Sequence, residues 1–280
     1  MGAQKEKKSL LKNNLVILTI ILIVMCIVLT IATDYFATAA NLVAILNQVI
    51  SNGTLAVGMT FVLLTGGIDL SVGSMVSLCG VCLASMINLL GLPLAPAILL
   101  TLLIGIVIGS INGLLVSLGK VPAFIATLGV QSVAAGLALT ISGGKSVTGF
   151  SMPLLRFMQS RVLTVIPTGF IIMLICFIAA FFVLRYIKVG RYLYVIGGNA
   201  EAAKLSGINV KKFLNLPYIV SGFCAALASL YVVGKLNSAN PICGDGYELD
   251  AIAACVIGGV SLTGGEGSIV GTLLGVVLMG

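Results

Sequence analysis

Long apolar runs, separated by short polar or basic stretches, follow one another from about residue 15 to the last residue of the chain. Nine of them read as helical spans, near 15–31, 42–64, 75–90, 95–118, 122–141, 167–187, 213–234, 249–262 and 268–280. About 18–20 apolar residues cross a hydrocarbon core of roughly 30 Å, and a helix does so with every backbone hydrogen bond satisfied internally. Pro93–Leu118 and Pro167–Tyr186 are the clearest runs, and Leu15–Ile31 lies at the short end of the range. The stretch Ser268–Gly280 supplies only about 20 Å of helix. Because the chain stops inside that apolar run, a truncated final span is expected.

Composition agrees with this pattern. Charged residues are 8% and apolar residues 59% of the 280, with 34 glycines, and the mean hydropathy is +1.22. Ordinary soluble domains carry about 25% charged residues, so this chain cannot clothe a water-facing surface. The expected fold is all-α, a polytopic transmembrane helical bundle forming a single domain over residues 1–280. Gly105, Gly109 and Gly113 recur every fourth residue, as do Gly267, Gly271 and Gly275. In lipid, where hydrophobic force between helices is weak, such small faces allow close packing.

The net charge of +7 does not point to nucleic acid, because the basic residues lie in short clusters between spans. They act as topology determinants instead. With the N-terminus in the cytoplasm, lysines 5, 7, 8, 12, 120, 188, 204, 211 and 212 and arginines 185 and 191 face inward. Only Lys145, Arg156, Arg161 and Lys235 then face outward. The opposite orientation inverts this bias, so a cytoplasmic N-terminus is expected. The N-terminal lysines followed by an apolar run also suit a signal peptide, but the run exceeds a usual h-region. An uncleaved first span is therefore expected.

Catalytic and metal chemistry find little support. There is no histidine, and Cys79 and Cys82, though spaced as Cys-x-x-Cys, lie in an apolar run that marks them as small buried thiols. Gly144-Lys145-Ser146 looks like the tail of a phosphate loop, but Leu139 occupies the position that requires the earlier glycine. Any ATP must be bound by another subunit.

One polar segment between spans, residues 188–212, carries a helix signal. Asn199 suits an N-cap, Glu201 favours the positive end of a helix, and Ala200, Ala202, Ala203 and Leu205 are good helix formers. Gly207 suits the left-handed residue that ends it. Two turns are marginal alone in water, so contacts to something else must hold them. Elsewhere, Asp69 lies among Gly66, Gly67 and Gly73 between two apolar runs. A carboxylate at membrane depth costs about 2.5–3.5 kcal/mol on insertion scales. Asp69 therefore either caps a broken helix or faces a polar pathway through the bundle, together with Thr65, Gly66, Gly67 and Ser71. Tyr247, Glu248 and Asp250 are expected at the outer mouth, where they meet another protein or cap a span.

These segments carry a resemblance. Glu201-Ala202-Ala203, followed after three residues by Gly207 and then by Leu216-Pro217, resembles the coupling loop of ABC importer permeases, with a slightly altered spacing to Leu-Pro. Gly58-Met59-Thr60-Phe61 with Thr65 to Ser74, Val121 to Gly129, and Gly246 to Ala254 followed by Gly258-Gly259 and Gly264-Gly265 are similar to the ribose/galactose/arabinose/xylose-type sugar permeases. The resemblance covers nearly the whole chain. It implies a bacterial inner-membrane permease of about ten spans, nine of them present, with no enzymatic activity of its own. The segment Gly198, Asn199, Glu201, Ala202, Ala203, Leu205 and Gly207 would dock on an ATP-binding subunit. A periplasmic or surface sugar-binding protein would deliver substrate, and a second copy or a close homologue would complete the path. The rival reading, an ion-coupled secondary transporter, needs ionisable groups in the spans, for which Asp69 alone is thin support.

Overall fold

The computed structural model describes residues 14–149, 159–162 and 166–280. The N-terminal lysines 5, 7, 8 and 12 and Arg156 of the charge argument lie outside the described residues. Among the described residues, eleven helices follow one another: α1 (Asn14–Ala32), α2 (Ala39–Leu64), α3 (Val72–Asn88), α4 (Leu94–Ser117), α5 (Ala123–Ser142), α6 (Thr168–Tyr186), α7 (Lys188–Gly198), α8 (Ala200–Leu205), α9 (Val210–Leu236), α10 (Tyr247–Ile257) and α11 (Ile269–Met279). The described strands are two residues each. β1 (Val147–Thr148) pairs antiparallel with β4 (Ser238–Ala239), and β2 (Arg161–Val162) with β3 (Ile166–Pro167).

Among the described residues six helices, α1, α2, α4, α5, α6 and α9, are long and apolar enough to cross a membrane. α2 and α9 form the buried centre, and α3 lies against α4, α5, α9 and α10. At 17 residues α3 is short for a span. It is buried on every side from Val72 to Val81, so protein rather than lipid surrounds it, as its all-round apolar sequence requires. α1 is almost wholly exposed and touches the bundle mainly at α11. The glycine stripe of α4 meets α9 at backbone distance. A Cβ on Gly105, Gly109 or Gly113 would run into the backbone of Gly222, Tyr218 or Asn215. Gly271 and Gly275 of α11 lie in the same way against Gly258 and Ala254.

The bundle has two ends. At one, the Gly265 amide donates to the Leu64 carbonyl at 2.9 Å, and Gly197 packs against the same carbonyl. The end of α2, the α7–α8 segment and the loop after α10 thus meet. At the other end, β1 and β4 pair, and Asn88 Nδ2 donates to the Thr148 carbonyl at 2.7 Å.

The range 249–262 departs from the expected span. After β4 the chain turns into the bundle, and the Gly244 amide donates to Ser77 Oγ at 2.9 Å. Gly246 adopts φ +91°, and α10 begins there. Its 11 residues give about 16 Å of helix, too little to cross. α10 is a half-helix that starts inside the bundle and ends near the Leu64 end. The apolar run in the sequence concealed this, since Val260 and Leu262 extend the hydropathy signal beyond the helix. α11 is likewise 11 residues, and the pair α10–α11 packs as a unit.

Candidate functional site

The polar break between α2 and α3 holds the most deeply buried carboxylate. α2 stops at Leu64, where the Thr65 amide turns back to the Val62 carbonyl and Gly66 takes φ +76°. Gly67 lies directly under the Tyr218 hydroxyl, a spot where no Cβ fits. Asp69 and Ser71 are both fully buried. Asp69 Oδ1 accepts from the Ser71 amide at 3.0 Å and from Ser71 Oγ at 2.6 Å, and Oδ2 accepts from Ser221 Oγ at 2.7 Å. Asn112 Nδ2 donates to Ser71 Oγ at 2.8 Å. Thr127 Oγ1 accepts from the Leu70 amide at 3.2 Å and donates to the Ile68 carbonyl at 3.1 Å.

These bonds tie the break to α4, α5 and α9 at once. Asp69 does not cap the second or third amide of α3. It accepts from the N-cap residue itself, an Asx-type turn that aims the chain into the helix. Asn112, Thr127 and Ser221 complete this network, Tyr218 packs over Gly67 beside it, and none of the four was found from sequence. Each is a single polar residue in an apolar run, and hydropathy averages such residues away.

The segment preceding α9 forms the second candidate. α7 is a helix that the sequence reading did not separate. Gly190, Leu193 and Ile196, spaced by three, are buried, whereas Lys188 and Arg191 are exposed, the usual division of an amphipathic helix. Tyr194 of α7 donates its hydroxyl to the Gly267 carbonyl at 3.0 Å. Burial pushes this phenol above its ordinary pKa and keeps it a neutral donor. Asn199 then caps α8, with the Ala202 amide donating to its Oδ1 at 2.9 Å, and Gly207 leaves the helix at φ +81°. α8 packs against α7 and α9. Ala203 is fully buried in that packing, so it cannot also face another protein. Glu201, Ala202, Lys204 and Leu205 are exposed, Leu205 by 89%, and Gly198 is open on one side. The exposed face of α8 therefore excludes Ala203 and centres on Ala202 and Leu205.

The third set is corrected in position. Tyr247, Glu248 and Asp250 do not lie at a mouth of the bundle. Asn52, near the midpoint of α2, donates to Asp250 Oδ2 at 3.4 Å, and Gln131, near the midpoint of α5, approaches Glu248 Oε1 at 3.5 Å. Glu248 also lies against Gly73 of α3. The inward turn of residues 240–246 carries the first turn of α10 to mid-height. Both acidic residues there benefit from the positive end of the helix. Sequence reasoning placed them by their order after α9, as if the chain travelled along the surface. Neither Asn52 nor Gln131 was singled out.

Comparison with known proteins gives a consistent set of relatives. The family described as branched-chain amino acid transport system / permease component matches residues 41–280. The ribose import permease protein of Haemophilus influenzae is 44% identical over 263 residues, covering 93% of this chain and 81% of the relative. That of Bacillus subtilis is 43% identical, covering 92% and 80%. The D-allose transport system permease protein of Escherichia coli is 37% identical, covering 93% and 80%. No solved structure matches the chain.

Proposed function

The chain belongs to the family of branched-chain amino acid transport system / permease components, and from that membership we propose that it is the membrane-spanning permease of an ABC importer for a simple sugar. One observation carries the substrate class: identity of 43–44% along more than nine-tenths of the chain to permeases named for ribose import. The family description names amino acids, but the more similar relatives transport sugars by name. ATP hydrolysis belongs to a separate subunit, and a sugar-binding protein presents the substrate at the opposite face.

Energy enters through α8. Its exposed residues, Glu201, Ala202, Lys204 and Leu205, offer a small face with one apolar knob for a groove on the ATP-binding subunit. The buried Ala203, the Asn199 cap and the packing on α7 and α9 make that face rigid with the bundle. A pull on α8 is thereby passed to α9, and α9 holds Asp69 through Ser221. The ATP-binding subunits close on ATP and draw the two coupling segments together, which opens the path to alternate sides. The partner across the path is a second copy or a close homologue.

The α7–α8 end faces the cytoplasm in this reading, because Lys188, Arg191, Lys204, Lys211 and Lys212 gather there and Lys145, Arg161 and Lys235 lie near the β1–β4 end. The test is uptake by proteoliposomes holding the permease with its ATP-binding subunit and binding protein. ATP-dependent accumulation of radiolabelled D-ribose, D-allose or D-xylose, and none of leucine, is the expected result. Accumulation of leucine alone would sink the sugar assignment.

A further inference from the structure

At mid-height the bundle holds a carboxyl group one of whose oxygens is left without a hydrogen bond. Glu248 is 9% exposed. Its Oε2 has no hydrogen-bond partner, while the rest of the carboxyl takes the long 3.5 Å approach of Gln131 Nε2 and the nearby backbone of Gly246 and Glu248. A buried carboxylate normally has its lone pairs occupied, since leaving them empty is costly. Gly73 makes room for it, because a Cβ there would overlap Oε2. Glu248 also lies in the first turn of a full-length half-helix that begins inside the bundle, the place where interrupted helices in transporters present polar groups to their cargo.

Next to this group the surface includes one position that lipid does not cover. Asp245 is exposed at the same height, next to Gly244, whose amide is bonded to Ser77. An exposed carboxylate at that depth must face water or a protein partner. Gln131 is half-buried on α5.

The chemistry of the lining limits the ligand. Neither α3, α5 nor any residue beyond Asn237 carries a lysine or arginine. Three carboxylates, Asp245, Glu248 and Asp250, stand within one another's neighbourhood in the sequence. An anionic group, such as the carboxylate of an amino acid, finds no cation there and meets repulsion. A neutral molecule with several hydroxyls suits the site, because its O–H groups donate to the empty Glu248 oxygen and the Gln131 amide both donates and accepts.

We infer that Glu248 and Gln131 form a mid-membrane station that hydrogen-bonds a neutral, hydroxyl-rich solute as it passes, an assignment that rests on the sugar reading above. The solute reaches it from the face that carries Asp245, where the two permease copies enclose the path.

The test compares wild type, Glu248→Gln and Gln131→Ala, each reconstituted with the ATP-binding subunit and the binding protein, with D-ribose as the probe. Three quantities are read: ribose uptake, ATP hydrolysis stimulated by the loaded binding protein, and the melting temperature of the complex. The expected result for Glu248→Gln is an uptake about tenfold lower, as for the loss of one charge-assisted hydrogen bond, with melting and stimulated hydrolysis retained. Gln131→Ala follows in the same direction with a smaller loss. Wild-type uptake in both variants overturns the station. A fall of all three quantities together in both variants also overturns it, since that pattern marks Glu248 and Gln131 as structural. A wild-type complex that accumulates leucine but no ribose, allose or xylose removes the sugar reading, and this inference with it.

Discussion

Asp69 is a carboxyl side chain whose two oxygens each have a hydroxyl donor and which no solvent reaches. Its bonds to Ser71 and Ser221 join the α2–α3 break to α9, and we propose that its role is to hold that junction rather than to touch the sugar. The variants separate the two roles. Asp69→Ala leaves the Ser71 and Ser221 hydroxyls without their acceptor, at about 1–3 kcal/mol for each buried group left unpaired. Asp69→Asn keeps one acceptor and lets Ser221 turn its hydroxyl to accept, so its cost is about 1 kcal/mol. Melting of the purified complex should therefore fall in the order wild type, Asn, Ala, with uptake per folded molecule close to wild type in the Asn variant. Wild-type melting with severely reduced uptake in Asp69→Asn would assign the carboxylate to the path instead. The presence of Asp69 among glycines was legible in the sequence as an anomaly. Its partner Ser221, and Asn112 and Thr127 that bond the residues beside it, were not, because they lie on three other helices and only packing brings them together.

Among the helices, α8 divides its residues by exposure in a way that its composition conceals. Ala202 and Ala203 are identical side chains on adjacent positions, about 100° apart around the helix. One is exposed and the other fully buried. Ala203→Arg would thus disrupt the packing on α7 and α9, and a loss of coupling in that variant would be uninformative. Leu205→Asp changes only an exposed side chain. It should leave melting unchanged while reducing co-purification of the ATP-binding subunit and ATP-driven uptake by several-fold. Full co-purification would exclude α8 from docking. The same dependence on partners explains α10. Its sequence reads as a span until the turn at 240–246 and the contacts to Ser77, Asn52 and Gln131 fix its start inside the bundle. The glycine stripes of α4 and α11, by contrast, were readable as packing faces before any partner was known, because a spacing of four keeps one side of a helix small.

For the whole molecule, orientation is the property on which the remaining roles depend. If the α7–α8 end faces the cytoplasm, a single cysteine introduced at Lys204 in a chain otherwise lacking cysteine stays unlabelled by an impermeant reagent in intact cells and is labelled after permeabilisation. A cysteine at Lys145 is labelled in both. Labelling of position 204 from outside would invert the topology and separate α8 from any cytoplasmic ATP-binding subunit. Apolar run length, charge bias and the segments shared with sugar permeases were enough to determine a multi-pass helical bundle, its family and the helix at 200–205. These are properties of residues near one another in sequence, and the bilayer imposes them on each span separately. Which side of α8 is free, what holds Asp69, and at what depth Glu248 lies were decided only by tertiary structure. The reason is that a buried polar group takes its role from the donors that packing sets around it, and those donors come from helices far away along the chain.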